Sequence, residues 1–376
     1  MAGQQISTRA LNRATLARQG LLEPITRTSV PDAVARVGSL QAQHPEWPPV
    51  ALWARTGDGA VDGLASALAE RSVVRASLMR ITVQIVRADH FWPTAHLTQG
   101  LRAAQFRTFF KADVADSSLG RRLTKTHAAV RAALKEGPLR IRDIDAIMKA
   151  EAPDLADAPN RMLWRHLAAT IPLVHVPFDG EGYGRSRYAA AEDWIGPPPP
   201  DLDEASATRF ITERYLAAFG PASIDDLMSY VGKRGSPARW RNAIEALKDR
   251  VVRFTAGDGR ELLDLVDASR PGENATAPPR MLARWDSLLL SHLPARRERV
   301  IADGDRERVY TKNADVLPTL LVDGMVAGTW DRAGATVTLR PFRRLDRETR
   351  TAFEEQATRL ATLLAPEDEA RVVVER

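Results

Sequence analysis

Apolar residues recur at helical spacing along most of the chain and alternate with polar ones only in short runs between glycine-rich turns. "STRALNRATLARQGLL" predicts a first helix with Ser7 or Thr8 as N-cap and Gly20 as stop. Ala33, Val34, Val37 and Leu40 keep the spacing of a second, from Pro31 to about Leu40. After Thr126, "HAAVRAALKEGPLRIRDIDAIMKA" gives a helix, a Gly137-Pro138 break and another helix. "NRMLWRHLAATIPLVHV" then runs from a third helix into an apolar strand. "PFDGEGYGRSRYAAAEDWIG" sets Gly180, Gly182 and Gly184 between two extended arms. Helix, helix, helix, strand, glycine turn, strand is the order of a winged helix-turn-helix, in which the third helix is the recognition helix and the turn is the wing.

The order recurs after the linker "GPPPPDLDE". "SATRFITERYLAAFG" ends at Gly220, "SIDDLMSYVG" has Ser223 as cap, "SPARWRNAIEALKDR" is a third helix, and "VVRFTAGDGRELLDLV" is a hairpin around Gly257-Asp258-Gly259. The two units share order and length with little residue identity, a repeat of structure rather than of sequence. The first hundred residues offer another copy, with "VVRASLMRITVQIVRADHFW" as its strand-rich end. "TLLVDGMVAGTWDRAGATVTLRPF" reads as a hairpin or meander and "DRETRTAFEEQATRLATLLA" as a closing helix. The expected fold is mainly α, of α+β class, with tandem winged helices. An N-terminal winged-helix domain is expected over 1–120, a second over 121–200, a third over 201–270, and a C-terminal α+β region over 271–376.

Composition narrows the chemistry more than the fold. A chain of 376 residues exceeds one small core, and 44% hydrophobic with 27% charged residues is ordinary for a globular protein. No apolar run approaches the roughly 18–20 residues that span a bilayer, so no membrane partner is expected. The basic, amphipathic N-terminus has the look of an organellar targeting peptide but lacks a long apolar segment, and reads better as a first helix. There is no cysteine, which excludes disulfides, thiol nucleophiles, Cys-ligated zinc and iron–sulfur clusters and fits the cytoplasm. A net charge of +5 and a pI near 9.7 permit an anionic partner without identifying one. Basic residues collect where a winged helix meets DNA: Arg185 and Arg187 in the wing, Lys233, Arg234, Arg239 and Arg241 around the third helix of the later unit. Such side chains neutralise phosphates and set register, or are merely solvated.

Familiar catalytic patterns are missing. "GEGYG" does not open a helix, and "VGKRG" lacks the spacing of a phosphate loop. There is no His-Glu-x-x-His and no Gly-x-Ser-x-Gly, and the seven histidines are scattered, so neither metal nor cofactor is expected. No heptad stands out, which leaves a monomer as the expectation. A winged helix alone is more often a regulator or interaction module than an enzyme, and the fold leaves function open.

Six segments decide the reading: "ALNRATLARQGLL", "LQAQHP", "SLMRITVQIVRADHFWP", "GRSRYAAAEDWIG", "RWDSLLLSH" and "DGMVAGTW". In this order the chain resembles the AlkZ/YcaQ-type winged-helix DNA glycosylases, from residue 9 to about residue 345. The resemblance implies excision of N7-alkylated purines from double-stranded DNA by a Gln-x-Gln or Gln-x-Asp motif, here Gln41-Ala42-Gln43 followed by His44-Pro45. The Gln-x-Gln form resembles enzymes of self-resistance to DNA-alkylating natural products, with bulky or crosslinking adducts as substrates. A non-catalytic DNA-binding regulator or lesion sensor on the same fold is the alternative, and a protein-interaction scaffold that binds no DNA a third.

Physical chemistry makes the motif intelligible. In a helix the two glutamines would point about 200° apart; in an extended chain they project to one side and can grip one water. Pro45 disfavours helix at His44, and Pro48-Pro49 are expected to stiffen the residues after it, which favours the extended form. An amide is a feeble base. It suffices when the leaving purine is already cationic, because carbonyl dipoles stabilise the sugar cation and the same groups position water. No lysine lies beside the motif for Schiff-base chemistry, so a monofunctional enzyme is expected. A bulky adduct is hard to flip into a tight pocket, so an open cleft is expected beside the motif. Period-two alternation in "SLMRITVQIV" puts Arg80, Thr82 and Gln84 on one strand face, either as further DNA-contact candidates or simply as the polar face of a half-buried strand; the family commonly has histidine at Gln84, a departure that counts against a contact role there. Trp285 and Asp286 read equally as structural or functional.

Overall fold

The computed structural model describes residues 4–58, 60–110, 118–155, 161–177, 187–232, 237–313 and 315–375. The first long helix, Thr8–Arg18, starts where Ser7 accepts the Ala10 N–H at 3.1 Å, and Gly20 follows it with φ +66°. It is buried almost all round, polar residues included. Asn12 bonds the carbonyls of Arg299 and Gly324, and Arg18 grips the buried Asp264 through contacts of 2.8 and 2.7 Å. This helix is therefore a post that ties distant parts of the chain together.

Three stretches then repeat one order of elements. The first has helices Val30–Val37, Trp47–Thr56 and Ala60–Ala69 with strands Val73–Ser77 and Val83–Arg87. The second has Ser118–Glu136, Ile141–Glu151 and Met162–Thr170 with strands Leu173–Val176 and Arg187–Ala190. The third has Glu204–Phe219, Ile224–Val231 and Ala238–Ala246 with strands Val251–Ala256 and Glu261–Leu265. Ser223 and Asp226 cap the middle helix of the third reciprocally. The expected strand through Trp92 is corrected: it stops at Arg87, and Ala88 opens a helix that runs to Phe110. Alternation ends at Val86, and buried Phe91, Thr94, Ala95 and Thr98 take up helical spacing.

Pairing across the units was not foreseeable. The strand Val73–Ser77 pairs with Leu173–Val176 through Arg75–His175 and Ala76–Val174, so the first and second stretches share one five-stranded sheet. The short N-terminal strand Gln4–Ile6 adds in parallel to Val251–Ala256 of the third. The tail is the expected meander, Thr319–Val322, Met325–Ala333 and Thr336–Pro341, extended by Arg280–Leu282 on one edge and by a parallel Arg371–Val374 on the other. Its closing helix, Arg347–Leu364, packs Phe353 and Leu360 into a core that includes Val34, Leu52 and Trp53 of the first unit. Trp330 is buried in that core and donates to the Leu282 carbonyl at 2.9 Å. Truncating a side chain of that kind costs about 3–5 kcal/mol. The C-terminal region thus backs the segment that carries the Gln-x-Gln motif.

Candidate active site

The helix before the motif ends at Gly38, sooner than the expected Leu40. Gly38 has φ +91°, and a Cβ there would meet the Phe219 ring at 3.2 Å. Leu40 and Gln41 then form a two-residue strand, with Leu40 opposite Ile85 and Gln41 opposite Gln84, and the Ala42 N–H reaches the Val83 carbonyl at 2.8 Å. The backbone is extended at Leu40–Gln41, as expected, but it bends at Gln43. Pro48 and Pro49 do something other than stiffen a bend: they are first-turn residues of the helix Trp47–Thr56, where a missing N–H costs nothing. His44 stacks on Trp285 with ring centroids 4.9 Å apart, pinning the chain just after the motif.

Arg80 is not on the strand. Met79–Ile81 form a tight turn in which Arg80 and Ile81 both have φ +57°, and regular alternation begins only at Val83. The guanidinium points inward rather than to a phosphate. Its Nη1 donates to the Tyr230 carbonyl at 2.6 Å, its carbon lies 5.1 Å from the Tyr230 ring centre, and Nη2 is 2.9 Å from the Gln41 amide oxygen. The Gln41 amino group donates to the Val83 carbonyl at 3.1 Å; the opposite orientation would set donor against donor and acceptor against acceptor. The turn rests on Gly232, where a Cβ would come within 2.8 Å of the Arg80 Cα.

Thr82 and Gln84 are likewise structural in this setting, a correction to the DNA-facing place expected of them. Gln84 is 0% exposed and donates to the Met79 carbonyl at 3.1 Å and to Thr82 Oγ1 at 3.2 Å. Thr82 donates to the same Met79 carbonyl. Gln84 is polar because it supports the turn before the strand, not because water covers it.

The two motif amides have unlike surroundings. Gln41 is 8% exposed and both ends of its amide are engaged. Gln43 is exposed, accepts the Val83 N–H at a long 3.3 Å, and lines a cavity of about 430 Å³. Phe91, Trp164, His175 and Tyr188 contribute to the walls. The recess beside the motif thus has aromatic walls and stays open to solvent on one side. Among the described residues that line it there is no Asp, Glu or Lys. Burial, reinforced by Arg75, pushes His175 down to about 3, and burial raises the Tyr188 phenol, so both are neutral near pH 7.

The remaining expected residues scatter. Arg187 begins a strand, half-buried. Arg239 pairs with Glu204 and stands over the ring of Trp240. Arg185, Lys233 and Arg234 lie outside the described residues. Asp286 is fully buried, holds Arg55 through contacts of 2.8 and 2.7 Å and caps Leu288, so it is a structural residue. Among the described residues no group of His, Asp and Glu is placed to hold a metal ion, and no helix is long and apolar enough to cross a membrane. Sequence reasoning missed Arg102, Trp164 and Arg165 at the cavity and Tyr230 behind Arg80. The spacing Arg161, Trp164, Arg165 on one helical face was the available signal; Arg102 and Tyr230 had none.

Comparison with known proteins agrees with this architecture. The interstrand DNA cross-link repair glycosylase of Streptomyces sahachiroi is 24% identical over 355 residues, spanning 90% of this chain and 92% of that protein. The structure of the Streptomyces sahachiroi DNA glycosylase AlkZ superposes with a TM-score of 0.82 at 19% identity, covering 99% of this chain and 100% of that one, which establishes a common fold. Residues 34–363 match the family described as DNA glycosylase AlkZ-like, and the chain belongs to that family.

Proposed function

We propose that this protein is a monofunctional DNA glycosylase that hydrolyses the N-glycosidic bond of cationic N7-alkylated purines in duplex DNA, bulky and crosslinking adducts included. Its three helix–helix–helix–strand–strand units act as winged helices that grip the duplex. The observation that supports this reading is the uncharged pair Gln41 and Gln43, both anchored on the stretch Arg80–Val83, with Gln43 exposed at a cavity that has no carboxylate or lysine among its described lining residues. Among the described residues such a site offers no carboxylate and no amine for a Schiff base. It suits a substrate whose base leaves unaided.

The chemistry is correspondingly simple. The bond between N9 and C1′ breaks, its electron pair stays on N9, and the cationic purine departs neutral. Positive charge passes to the deoxyribose, where the Gln43 carbonyl dipole stabilises it and orients a water for attack on C1′. The proton of that water leaves to solvent. Gln41 is held from behind by Arg80 and keeps the second amide in register. A relative named for interstrand cross-link repair supports the inclusion of bulky adducts.

Purified protein is expected to convert duplexes containing N7-methylguanine, and duplexes with bulky N7 adducts, to alkali-labile abasic sites. The Gln41→Ala, Gln43→Ala double variant should not. Full activity in that variant, or a wild-type protein that only shifts the mobility of damaged DNA, would leave a binding protein and no enzyme.

A further inference from the structure

Trp285 and Asp286 are neighbours in different settings. Asp286 is buried on Arg55, whereas Trp285 is half-buried with φ +52°. A left-handed backbone is an outlier for so bulky a residue and persists only where the surroundings impose it. Here the Trp285 N–H donates to the Val316 carbonyl at 3.0 Å, and the Arg55 clasp fixes the next residue. The indole is thereby presented to His44, whose ring stacks on it at 4.9 Å with 22° between the planes. Arg284 stands over the same indole, its guanidinium carbon 5.3 Å from the ring centre, and is offset by Asp315 at 3.2 Å. His44 is left with 53% of its side chain exposed on an aromatic backing. Glu46 lies at its edge, 46% exposed, with a carboxylate oxygen 3.8 Å from Nδ1.

Gln43 and His44 are successive residues whose side chains part at the bend. The first lines the cavity, and neither His44 nor Trp285 is among the described residues that do. The purine of a lesion hangs by one bond from the sugar that Gln43 addresses, so its ring must lie against a surface close to that amide. An N7-alkylpurine is flat and positively charged. His44 offers it a flat face and Glu46 an opposite charge, whereas the described lining of the cavity holds no carboxylate. We propose that His44, backed by Trp285, stacks the alkylated purine itself, and that Glu46 selects that purine for its charge. Trp285 is the strut that keeps the face in place. Glu46 takes no proton; it tells a charged lesion from ordinary guanine before the bond breaks. The exposure of His44 leaves a substituent on N7 free to extend into solvent, which suits a bulky adduct. The proposal rests on the glycosylase reading in placing the sugar of the lesion at Gln43.

The test is a binding experiment that needs no excision. Two duplexes carry the same 2′-fluoro sugar, whose electron-poor carbon resists loss of the base. One holds N7-methylguanine, the other 7-methyl-7-deazaguanine, its neutral isostere. Wild-type protein should bind the cationic duplex about fivefold more tightly than the neutral one. Glu46→Gln has no cap hydrogen bond to lose, and should bring that ratio to about one with affinity for the neutral duplex unchanged. His44→Ala should weaken binding of both duplexes about tenfold, and His44→Phe, which keeps a flat face, should restore most of that loss. Both positions are exposed, so these variants keep the fold. A wild-type ratio of one, or a Glu46→Gln protein that retains the preference, would overturn selection by charge. Loss of affinity in Trp164→Ala with none in His44→Ala would overturn the platform, since the base would then lie in the cavity. If wild-type protein excises nothing from N7-methylguanine DNA, the enzyme reading falls while these binding ratios still decide this one.

Discussion

Gln41 ends a short strand and Gln43 lies two residues on, in a bend, and only Gln43 is exposed. Gln43→Ala removes the amide that faces the cavity and should lower single-turnover excision by roughly 10²–10³-fold with little change in stability. Gln41→Ala also leaves Arg80 short of an acceptor, so it should cost about 1–3 kcal/mol of stability besides activity, read by denaturant unfolding. Equal melting points for the two variants would contradict this division. Arg80→Lys keeps the charge but loses the two-pronged contact to Tyr230 and Gln41. It should slow excision about tenfold with an unchanged salt slope of DNA binding, whereas a phosphate-contacting arginine would lower the slope. The motif and the extended backbone at Leu40–Gln41 were legible because Pro45 and the Gln-x-Gln spacing act locally. The inward turn of Arg80 was not, since two successive non-glycine residues at φ +57° are a local cost that only surrounding contacts sustain.

At the scale of elements, the turn Met79–Ile81 and the end of the helix Ile224–Val231 form one joint. Gly232 caps that helix at φ +91° and admits the Arg80 backbone where a side chain would not fit. Gly232→Ala should therefore destabilise the fold by about 1–2 kcal/mol through the left-handed backbone alone. The displaced turn should also lower excision at a temperature where the variant remains folded. Loss of stability with undiminished excision would separate the joint from the site. The order helix, helix, helix, strand, strand was readable from periodicity and caps, as Ser7 and Ser223 show. The inward aim of Trp164 and Arg165 was not, because a helix read as a recognition helix shows its spacing but not its neighbour.

The whole molecule adds a pH dependence that the site lacks. His90 and His127 are held near 4, and His175 and His292 near 3, with burial the largest cause in each case. The unfolded chain takes up these protons near pH 6.5 and the folded one does not, so the contribution is full above that pH and is lost as pH falls toward about 4. The melting temperature should drop across that window, with proton uptake on unfolding measurable from the buffer dependence of the calorimetric enthalpy. A flat profile there would refute the neutral, buried state of these rings. Excision should stay level from about pH 6.5 to 9 while the fold holds, because neither motif amide titrates; a bell-shaped profile would reveal an acid or base outside the pair.

Taken by itself, the chain determined what depends on neighbours in sequence: the helices and their caps, the repeated order of elements, the meander of the tail, and an uncharged Gln-x-Gln motif just before a proline. Tertiary structure decided what depends on residues far apart in sequence. It joined two units into one sheet through Arg75 and His175, turned Arg80 from solvent to Gln41, buried Gln84, and brought Arg102 and Arg165 to the cavity beside Gln43. The physical reason is that periodicity records which face of an element is covered, whereas the identity of the cover is fixed only when long-range packing and pairing overcome the entropy of bringing distant segments together.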